Sequence, residues 1–571
     1  MVMKLNNIWG YGQLFGYSGI DGVNRWSNDF IGTLTEEKIG IRFELKEWIK
    51  VIFPIKGEIK FSAITGDMID AETEEGDFFL TFATADALVG YSPVLPQFIG
   101  QKGLESGKTW GTDVWHTMFD WIALQYRKEE YGYKFCVYHS STYVLARSGA
   151  NDYINEDVFA LKKARYDYFR NMPPCKNEKY EQLYYKALSV NKVNVHTPEG
   201  NIPCMWTTPD RVPHRNLWLW DSVFHALAMV DYNQALAKDA IRAVLTQIRR
   251  DGFMPCTMTP IAHDDLTQPQ VLAWGVWEVY KKTGDKSFLN ESVDALERYL
   301  EWDIQNRDKN GNELLEWFTE PDYSECKCGE SGLDNSPRFD FAEDMDCMDF
   351  STFLAHDALY LSYIYNELGD TIKRDKWKDK YERVKVKMNE LLWDEETGVY
   401  YDRLFNGQLS KVLTPASFFP MFAGVPSKEQ AEKMVKNLTN PDLLWTEYPL
   451  ATVAKNHPTY STDMWRGGVW LNLNYFIIEG LKNYGYNELA ETLKNKTLDM
   501  VNKWYQKTGA IFEFFAPEGE VVPYECERKG KPTIPPDWRK HVHSIIDFNW
   551  SACFTLLFIQ DESTIGAIEV L

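Results

Sequence analysis

Asp221–Arg250 reads DSVFHALAMVDYNQALAKDAIRAVLTQIRR, two stretches of helical period separated by a short polar break. The first, VFHALAMV, is apolar nearly all round, as a helix buried on every side must be. The second, QALAKDAIRAVLTQI, carries one apolar face and one charged face, as a helix between core and solvent does. An inner helix followed by an outer one is one hairpin of a double-layered ring. The pattern recurs in QVLAWGVWEVYKKTG with SVDALERYLEWDIQNR, in DFSTFLAHDALYLSYIYNELG with IKRDKWKDKYERVKVKMNELLW, and in GVWLNLNYFIIEGLKNYG with YNELAETLKNKTLDMVNKWYQKTG. EKYEQLYYKALSV, KEQAEKMVKNL and DFNWSACFTLLFIQ add further segments. Ten to twelve helices over about 390 residues predict a closed toroid of helical hairpins.

The N-terminal third reads differently. GIRFELKEWIKVIFPI (Gly40–Ile55), GEIKFSAI (Gly57–Ile64), DFFLTFATA (Asp77–Ala85) and YKFCVYHSSTYVLA (Tyr133–Ala146) are short, rich in β-branched and aromatic residues, and broken by Gly and Pro. They predict the strands of an antiparallel β-sandwich. DVFALKKARYDYFRNMPP has helical spacing and ends at Pro173-Pro174, which a helix interior does not accommodate. The expected division is 1–174, a β-sandwich with a linker helix, and 175–571, the helical toroid.

Composition narrows the function. The chain of 571 residues carries 61 Lys and Arg against 83 Asp and Glu, a net charge of −22 that repels phosphate backbones and anionic headgroups. Nucleic acid and membrane are therefore excluded as partners. No apolar run approaches the roughly 20 residues of a bilayer span, and MVMKLNNIWGYGQ lacks the pattern of a signal peptide, so a cytoplasmic protein is expected. The nine cysteines, odd in number and scattered, argue against a disulfide framework. Cys326 and Cys328, with Cys347 farther on, lack an evident fourth ligand for zinc, and no EF-hand spacing appears; no metal and no cofactor are assigned.

The unusual residues fall where the helical segments stop: RNLWLWD (Arg215–Asp221), DGFMPCTMTP (Asp251–Pro260), CGESGLDNSPRFD (Cys328–Asp340), LWTEYPLA (Leu444–Ala451), STDMWRGG (Ser461–Gly468) and AIFEFFAPEGE (Ala510–Glu520). Rings beside carboxylates suit a sugar, whose C–H faces pack on aromatics while its hydroxyls take hydrogen bonds. Within Gly329–Asp340, spacing alone favours Asp334 and Ser336 as turn or capping residues. Glu513, set between Ile511, Phe512, Phe514 and Phe515, is costly unless paired or facing a cavity. Two carboxylates across an aromatic pocket are the minimum for hydrolysing a glycosidic bond.

WLWDSVFHALA (Trp218–Ala228), DGFMP, TQPQVLAWGVWE (Thr267–Glu278), ESGLDNSPRFD, MWRGGVWLNLNYFIIEGLKNYGY (Met464–Tyr486) and IFEFFAPEGE resemble, in this order, the catalytic domain of glycoside hydrolase family 63. They look equally like its kin, the mannosylglycerate and glucosylglycerate hydrolases, and more distantly like the trehalases. The resemblance implies a mainly α fold, an (α/α)6 toroidal barrel behind an N-terminal antiparallel β-sandwich, and an inverting, exo-acting α-glucosidase acting on a short oligosaccharide or glucosyl conjugate without a cofactor. It places the general acid on Asp334 and the general base on Glu513. It puts Trp218, Trp220 and Asp221 along the −1 subsite, Trp465 and Arg466 on the opposite wall, and Gln268 and Trp274 near the substrate, with packing as the competing role for the last two. Where relatives carry W-R-G-P-V-W this chain has Gly468, which predicts a looser loop; LWTEYPLATVAKNHPTY departs on the leaving-group side. Arg539, Lys540, His541 and His543 form either an acidic-aglycone site or a solvated loop. Two rival readings stay open: a disaccharide phosphorylase, disfavoured by Glu513, and a silent sugar-binding relative, disfavoured by both carboxylates. Oligomeric state is not legible.

Overall fold

The computed structural model describes residues 3–7, 12–28, 30–35, 39–43, 49–99, 106–109, 112–116, 120–320, 326–341, 344–530 and 543–561. Two antiparallel sheets form the N-terminal sandwich. One has five strands in the spatial order Leu14–Phe15, Gly32–Leu34, Gly40–Phe43, Ile49–Ile52, Gln97–Ile99. The other has eight, ordered Ser106–Thr109, Thr112–His116, Trp121–Glu129, Gly132–Ser140, Ala87–Ser92, Gly76–Thr84, Met68–Thr73, Ile59–Ile64. The buried side chains between them include Phe53, whose ring meets Phe78 and Phe135 at 4.9 Å each. The segment Tyr133–Ala146 is not strand throughout. Its strand ends at Ser140, and helix α1 (Tyr143–Tyr153) follows, because the Thr142 hydroxyl caps the amide of Leu145 at 3.3 Å. Helix α2 (Val158–Arg170) is capped likewise by Asp157.

The remainder is an (α/α)6 ring. Helices α3 (Glu181–Val193), α4 (Leu219–Met229), α5 (Gln234–Leu245), α6 (Leu272–Thr283), α7 (Lys286–Arg307), α8 (Met348–Leu368), α9 (Thr371–Leu391), α10 (Lys428–Leu438), α11 (Leu471–Asn483), α12 (Asn487–Thr508) and α13 (Asn549–Gln560) form most of it. The inner wall runs α4, α6, α8, a 3-10 segment at Pro415–Met421, α11 and α13, each packed on the next, and α13 closes on α4. Outside them lie α5, α7, α9, α10, α12 and α3. Every residue of α4 is buried, whereas α9 buries only Trp377, Lys380, Tyr381, Val384 and Met388.

The inner element missing from the sequence reading, Pro415–Met421, begins with a proline, holds another at Pro420 and is too short for helical periodicity to register. Helix α7 also starts earlier than its apolar period indicated: Gly284 takes a left-handed φ of 65° to end α6, and the Asp285 carboxylate caps Ser287 at 3.1 Å. Inner-to-outer turns such as Gly284-Asp285 and Gly369-Asp370 are tight, so the long connections gather at the opposite end of the ring, before the N-termini of inner helices. No helix of the described residues is long and apolar enough to cross a membrane.

Buried charge joins sandwich to ring. Lys192 of α3 reaches Asp21 at 2.9 Å and Asp67 at 2.5 Å, and Arg165 of α2 reaches the same two carboxylates. Asp547, before α13, accepts from the Leu14 amide at 2.8 Å and pairs with Lys186 at 2.9 Å.

Candidate active site

At the long-loop end lies an open-mouthed pocket of about 470 Å³. Its walls come from Pro209, His214 and Trp218 before α4, Trp220 and Asp221 at its start, Gln268 before α6, Gly329, Gly332 and Asp334, Met464, Trp465 and Trp470 before α11, Glu513 and Arg528, and Phe548 and Trp550 at α13. Of the nine residues singled out from the sequence, seven are brought together here: Asp334, Glu513, Trp218, Trp220, Asp221, Gln268 and Trp465. Two are not. Trp274 is buried among Phe422, Tyr475 and His356 in the ring's interior, and its amide donates to Asp357 at 3.1 Å. Arg466 lies outside the lining, its guanidinium forked onto Asp340 with one contact at 3.0 Å.

The segment Gly329–Asp340 distributes its charges to four places. Glu330 is fully buried, accepts from the amides of Thr267 at 3.2 Å and Phe318 at 2.9 Å, and pairs with Arg307, so it pins the loop. Asp334 turns into the pocket, where its Oδ2 meets Lys529 Nζ at 2.8 Å. Arg338 forks onto Asp349 and Asp402, and Asp340 takes Arg466. The turn or capping role considered for Asp334 and Ser336 is not what their side chains do: Ser336 stands at an N-cap position without a capping bond. Gly332 has φ 69°, and a Cβ there would lie 2.5 Å from the Trp220 indole, so the loop can approach that ring only with glycine.

Glu513 is 3% exposed and held on three sides. Its amide donates to Ile545 O at 2.8 Å, and the Ile545 amide returns a bond to Oε2 at 3.3 Å. Arg528 Nη1 contacts Oε1 at 3.2 Å and Oε2 at 2.9 Å. Burial raises the Glu513 carboxyl above its ordinary range, and the Arg528 guanidinium opposes that rise. Adjacent residues thus supply one cation to each carboxylate, Arg528 to Glu513 and Lys529 to Asp334. The turn that presents them is fixed by Asp463, which accepts from the amides of Lys529 at 2.7 Å and Gly530 at 2.8 Å and from Asn335 Nδ2 at 3.0 Å. Lys529 has φ 56°, an uncommon conformation for a lysine.

A ladder of rings forms the floor: Trp465 stacks on Trp470 at 3.7 Å, Trp470 on Phe514 at 4.9 Å, and Trp550 stands edge-on to Trp470 and Trp220. Several of the lining side chains also carry buried polar atoms. The indole nitrogens of Trp218, Trp465 and Trp550 and Oδ1 of Asp221 have no hydrogen-bond partner among the described residues. Asp221 is pushed well above the usual carboxylate range by burial, with the charges of Asp210 and Glu513 adding to the effect. Indole rings and carboxylates lining one pocket suit the C–H face and the hydroxyls of a monosaccharide.

Gly468 does not loosen its loop: a Cβ there would lie 2.5 Å from Met464 O and 2.9 Å from the Phe514 ring. Leu444–Tyr460 adds no residue to the lining. Arg539, Lys540 and His541 lie outside the described residues, and His543 is buried, with Nδ1 3.1 Å from Cys526 O. All nine cysteines are free. Cys347, Asp349 and Asp402 converge closely enough to hold a metal, but Arg338 already brings positive charge to both carboxylates there. His214, Arg528, Lys529 and Asp463 were not singled out from the sequence. Asp463 sits inside the quoted STDMWRGG, His214 just before RNLWLWD, and Arg528-Lys529 in an ordinary-looking charged turn, CERKG.

A sequence profile of the mannosylglycerate hydrolase MGH1-like glycoside hydrolase domain matches residues 214–551. An uncharacterised protein of Borreliella burgdorferi is 29% identical over 260 residues, 44% of this chain and 52% of that protein, so the chain spans about half of that relative's length. Mannosylglycerate hydrolase MGH1 of Selaginella moellendorffii is 23% identical over 397 residues, 55% of this chain and 78% of its own. Among solved structures, the family 63 mannosylglycerate hydrolase of Thermus thermophilus in complex with glucose has a TM-score of 0.54 at 21% identity, over 66% of this chain and 99% of that one. A bacterial glucoamylase complexed with acarbose has 0.61 at 11% identity, over 98% and 96%. The second likeness extends the shared fold across both sandwich and ring.

Proposed function

The chain belongs to the mannosylglycerate hydrolase MGH1-like glycoside hydrolase family, and on that footing we propose that it is an inverting, exo-acting α-glycosidase. Asp334 is the general acid and Glu513 the general base. The observation that carries this reading is the pair of carboxylates in one aromatic cup, each from a different loop and each with its own cation. Glu513 takes a proton from water, whose oxygen attacks the anomeric carbon. The glycosidic C–O bond breaks as Asp334 protonates the departing oxygen, so the sugar leaves with its anomeric centre inverted. For that step Asp334 carries a proton, and the Lys529 ammonium gives way to the glycosidic oxygen as substrate enters. Trp218, Trp220, Asp221, Gln268 and Trp465 bind the terminal sugar. Arg466 positions the Asp340 side of the rim, and Trp274 supports the inner wall.

The substrate assigned is a glucosyl unit on a short oligosaccharide or small conjugate. Relatives named mannosylglycerate hydrolases favour a mannosyl conjugate as the second candidate, since the two sugars differ by one hydroxyl's orientation. Proton NMR of the anomeric region during the first minutes tests both, using α-glucosyl disaccharides, glucosylglycerate and mannosylglycerate with and without phosphate. β-Anomer appearing first, independent of phosphate, supports the reading; α-anomer first, or a sugar phosphate, removes it. Asp334→Asn and Glu513→Gln are each expected to lower kcat about a thousandfold or more, with little loss of stability.

A further inference from the structure

Two contacts fix the protonation state of one imidazole beside the pocket. Nδ1 of His214 lies 2.8 Å from Asp210 Oδ2, and its Nε2 lies 3.3 Å from Arg528 Nη2. A guanidinium nitrogen only donates, so Nε2 must offer its lone pair. An ionised carboxylate only accepts, so Nδ1 must carry the hydrogen. Both contacts therefore require the neutral Nδ1–H tautomer. The ring is seated to keep it: the His214 amide donates to the other Asp210 oxygen at 2.9 Å, and Trp218 and Phe548 stand edge-on to the imidazole at 6.1 and 5.8 Å. The Arg528 guanidinium, through its other terminal nitrogen, holds both oxygens of Glu513.

We propose that Asp210, His214 and Arg528 form a positioning chain for Glu513, in which neutral His214 holds the guanidinium in register and a proton taken up at Nε2 releases it. Protonation puts an N–H donor where the lone pair was, so two cationic donors face each other at hydrogen-bond distance and the fork on Glu513 is lost. Among the described residues, the charged groups facing the imidazole include Asp210 from the segment before α4, Arg528 from its turn, and Glu513 from the loop after α12. Asp221 of α4 lies near enough to feel the charges of Asp210 and Glu513. Trp218 and Phe548 contribute no charge. His214 acts through Arg528 and is a positioning residue. The inference rests on Glu513 being the base.

The test has a spectroscopic arm and a kinetic arm. Nitrogen-15 histidine NMR of the full-length protein near neutral pH, with His214 assigned from the difference against His214→Gln, should show a protonated Nδ1 and an unprotonated Nε2. The opposite tautomer or a doubly protonated ring overturns the proposal. In the kinetic arm, the acid limb of log kcat/KM against pH is expected to approach a slope of two in the wild type, since a proton on either His214 or Glu513 abolishes the working geometry. In His214→Gln, whose amide oxygen accepts from Arg528 without titrating, kcat is expected to fall about threefold and the slope to drop to one. An unchanged slope overturns the proposal. His214→Phe, with no acceptor, should lose about 10- to 100-fold in kcat with little change in KM, and wild-type turnover in that variant overturns it as well. If Glu513→Gln stays active, the base assignment falls; if it is inactive while His214→Gln keeps the wild-type slope, the positioning chain alone falls.

Discussion

Two arginines at the same end of the ring pair with buried carboxylates, Arg338 with two and Arg528 with one, and their surroundings differ. Arg338 is fully enclosed: Nε and Nη2 donate to Asp402 at 2.8 Å, and Nη1 and Nη2 to Asp349 at 2.5 and 2.9 Å. The carboxylates are further saturated by Trp317 Nε1, the Phe350 amide and the Met348 amide. Around Arg528 the pattern is open, because its own Nε and Asp221 Oδ1 lack partners among the described residues and Glu513 borders a pocket. Saturation marks charge that holds loops together, since any broken bond there leaves a buried group uncompensated. Unspent hydrogen-bonding capacity beside a cavity marks charge kept available for a ligand.

The largest effect expected from this contrast is on stability. Arg338→Met leaves Asp349 and Asp402 buried without a counter-charge and should cost about 3–5 kcal/mol, read as a lowered melting temperature with turnover per folded molecule retained. Arg528→Met should do the reverse, losing about 100-fold in kcat with a smaller shift in melting, because solvent in the pocket can reach Glu513. Equal losses of stability in the two variants would break the distinction. Gly332→Ala joins the two regions: the left-handed φ and the Trp220 contact predict about 1–3 kcal/mol of destabilisation, together with a raised KM as the indole is displaced. Calorimetry with KM measurement checks both halves.

The smallest effect concerns a saturated cluster on the outer wall. Burial works against the Glu297 carboxylate, yet bonds from Lys373, Tyr365, Lys376 and Trp377 bring it down to about 2. A folded value below the unfolded one, near 4.3, means that its stabilising contribution is present above that pH and is lost as pH falls toward 2. Melting of Glu297→Gln should therefore fall below wild type at pH 6 and converge with it near pH 2. A constant offset across that range would show that the bonds do not depend on the charge.

The double ring was legible because burial on all sides and burial on one side leave different residue patterns, as α4 and α9 show. Glu513 was legible for a related reason: a carboxylate amid Ile511, Phe512, Phe514 and Phe515 demands an explanation. What escaped was whatever depends on pairing between distant loops. Arg528 and Lys529 look like any exposed charged turn until the Asp463 carboxylate gathers the Lys529 and Gly530 amides beside Asn335. Arg466 and Trp274 stand apart from the lining: Asp340 holds the guanidinium, and Trp274 takes the packing role that its inner helix also offered. Pro415–Met421 was invisible because one or two 3-10 turns display no period.

Closure of the ring by α13 on α3 and α4 has a consequence for assembly in time. Asp210, His214 and Trp218 precede the first inner helix, whereas Glu513, Arg528, Phe548 and Trp550 accompany the last. A chain with every earlier hairpin in place would hold Asp334 but neither Glu513 nor Arg528, and half a cup. Contacts between segments so far apart in the chain form late and against a large loop-closure entropy. During refolding, then, recovery of helical signal should run ahead of recovery of turnover, and the interval between them measures how long the ring stands open.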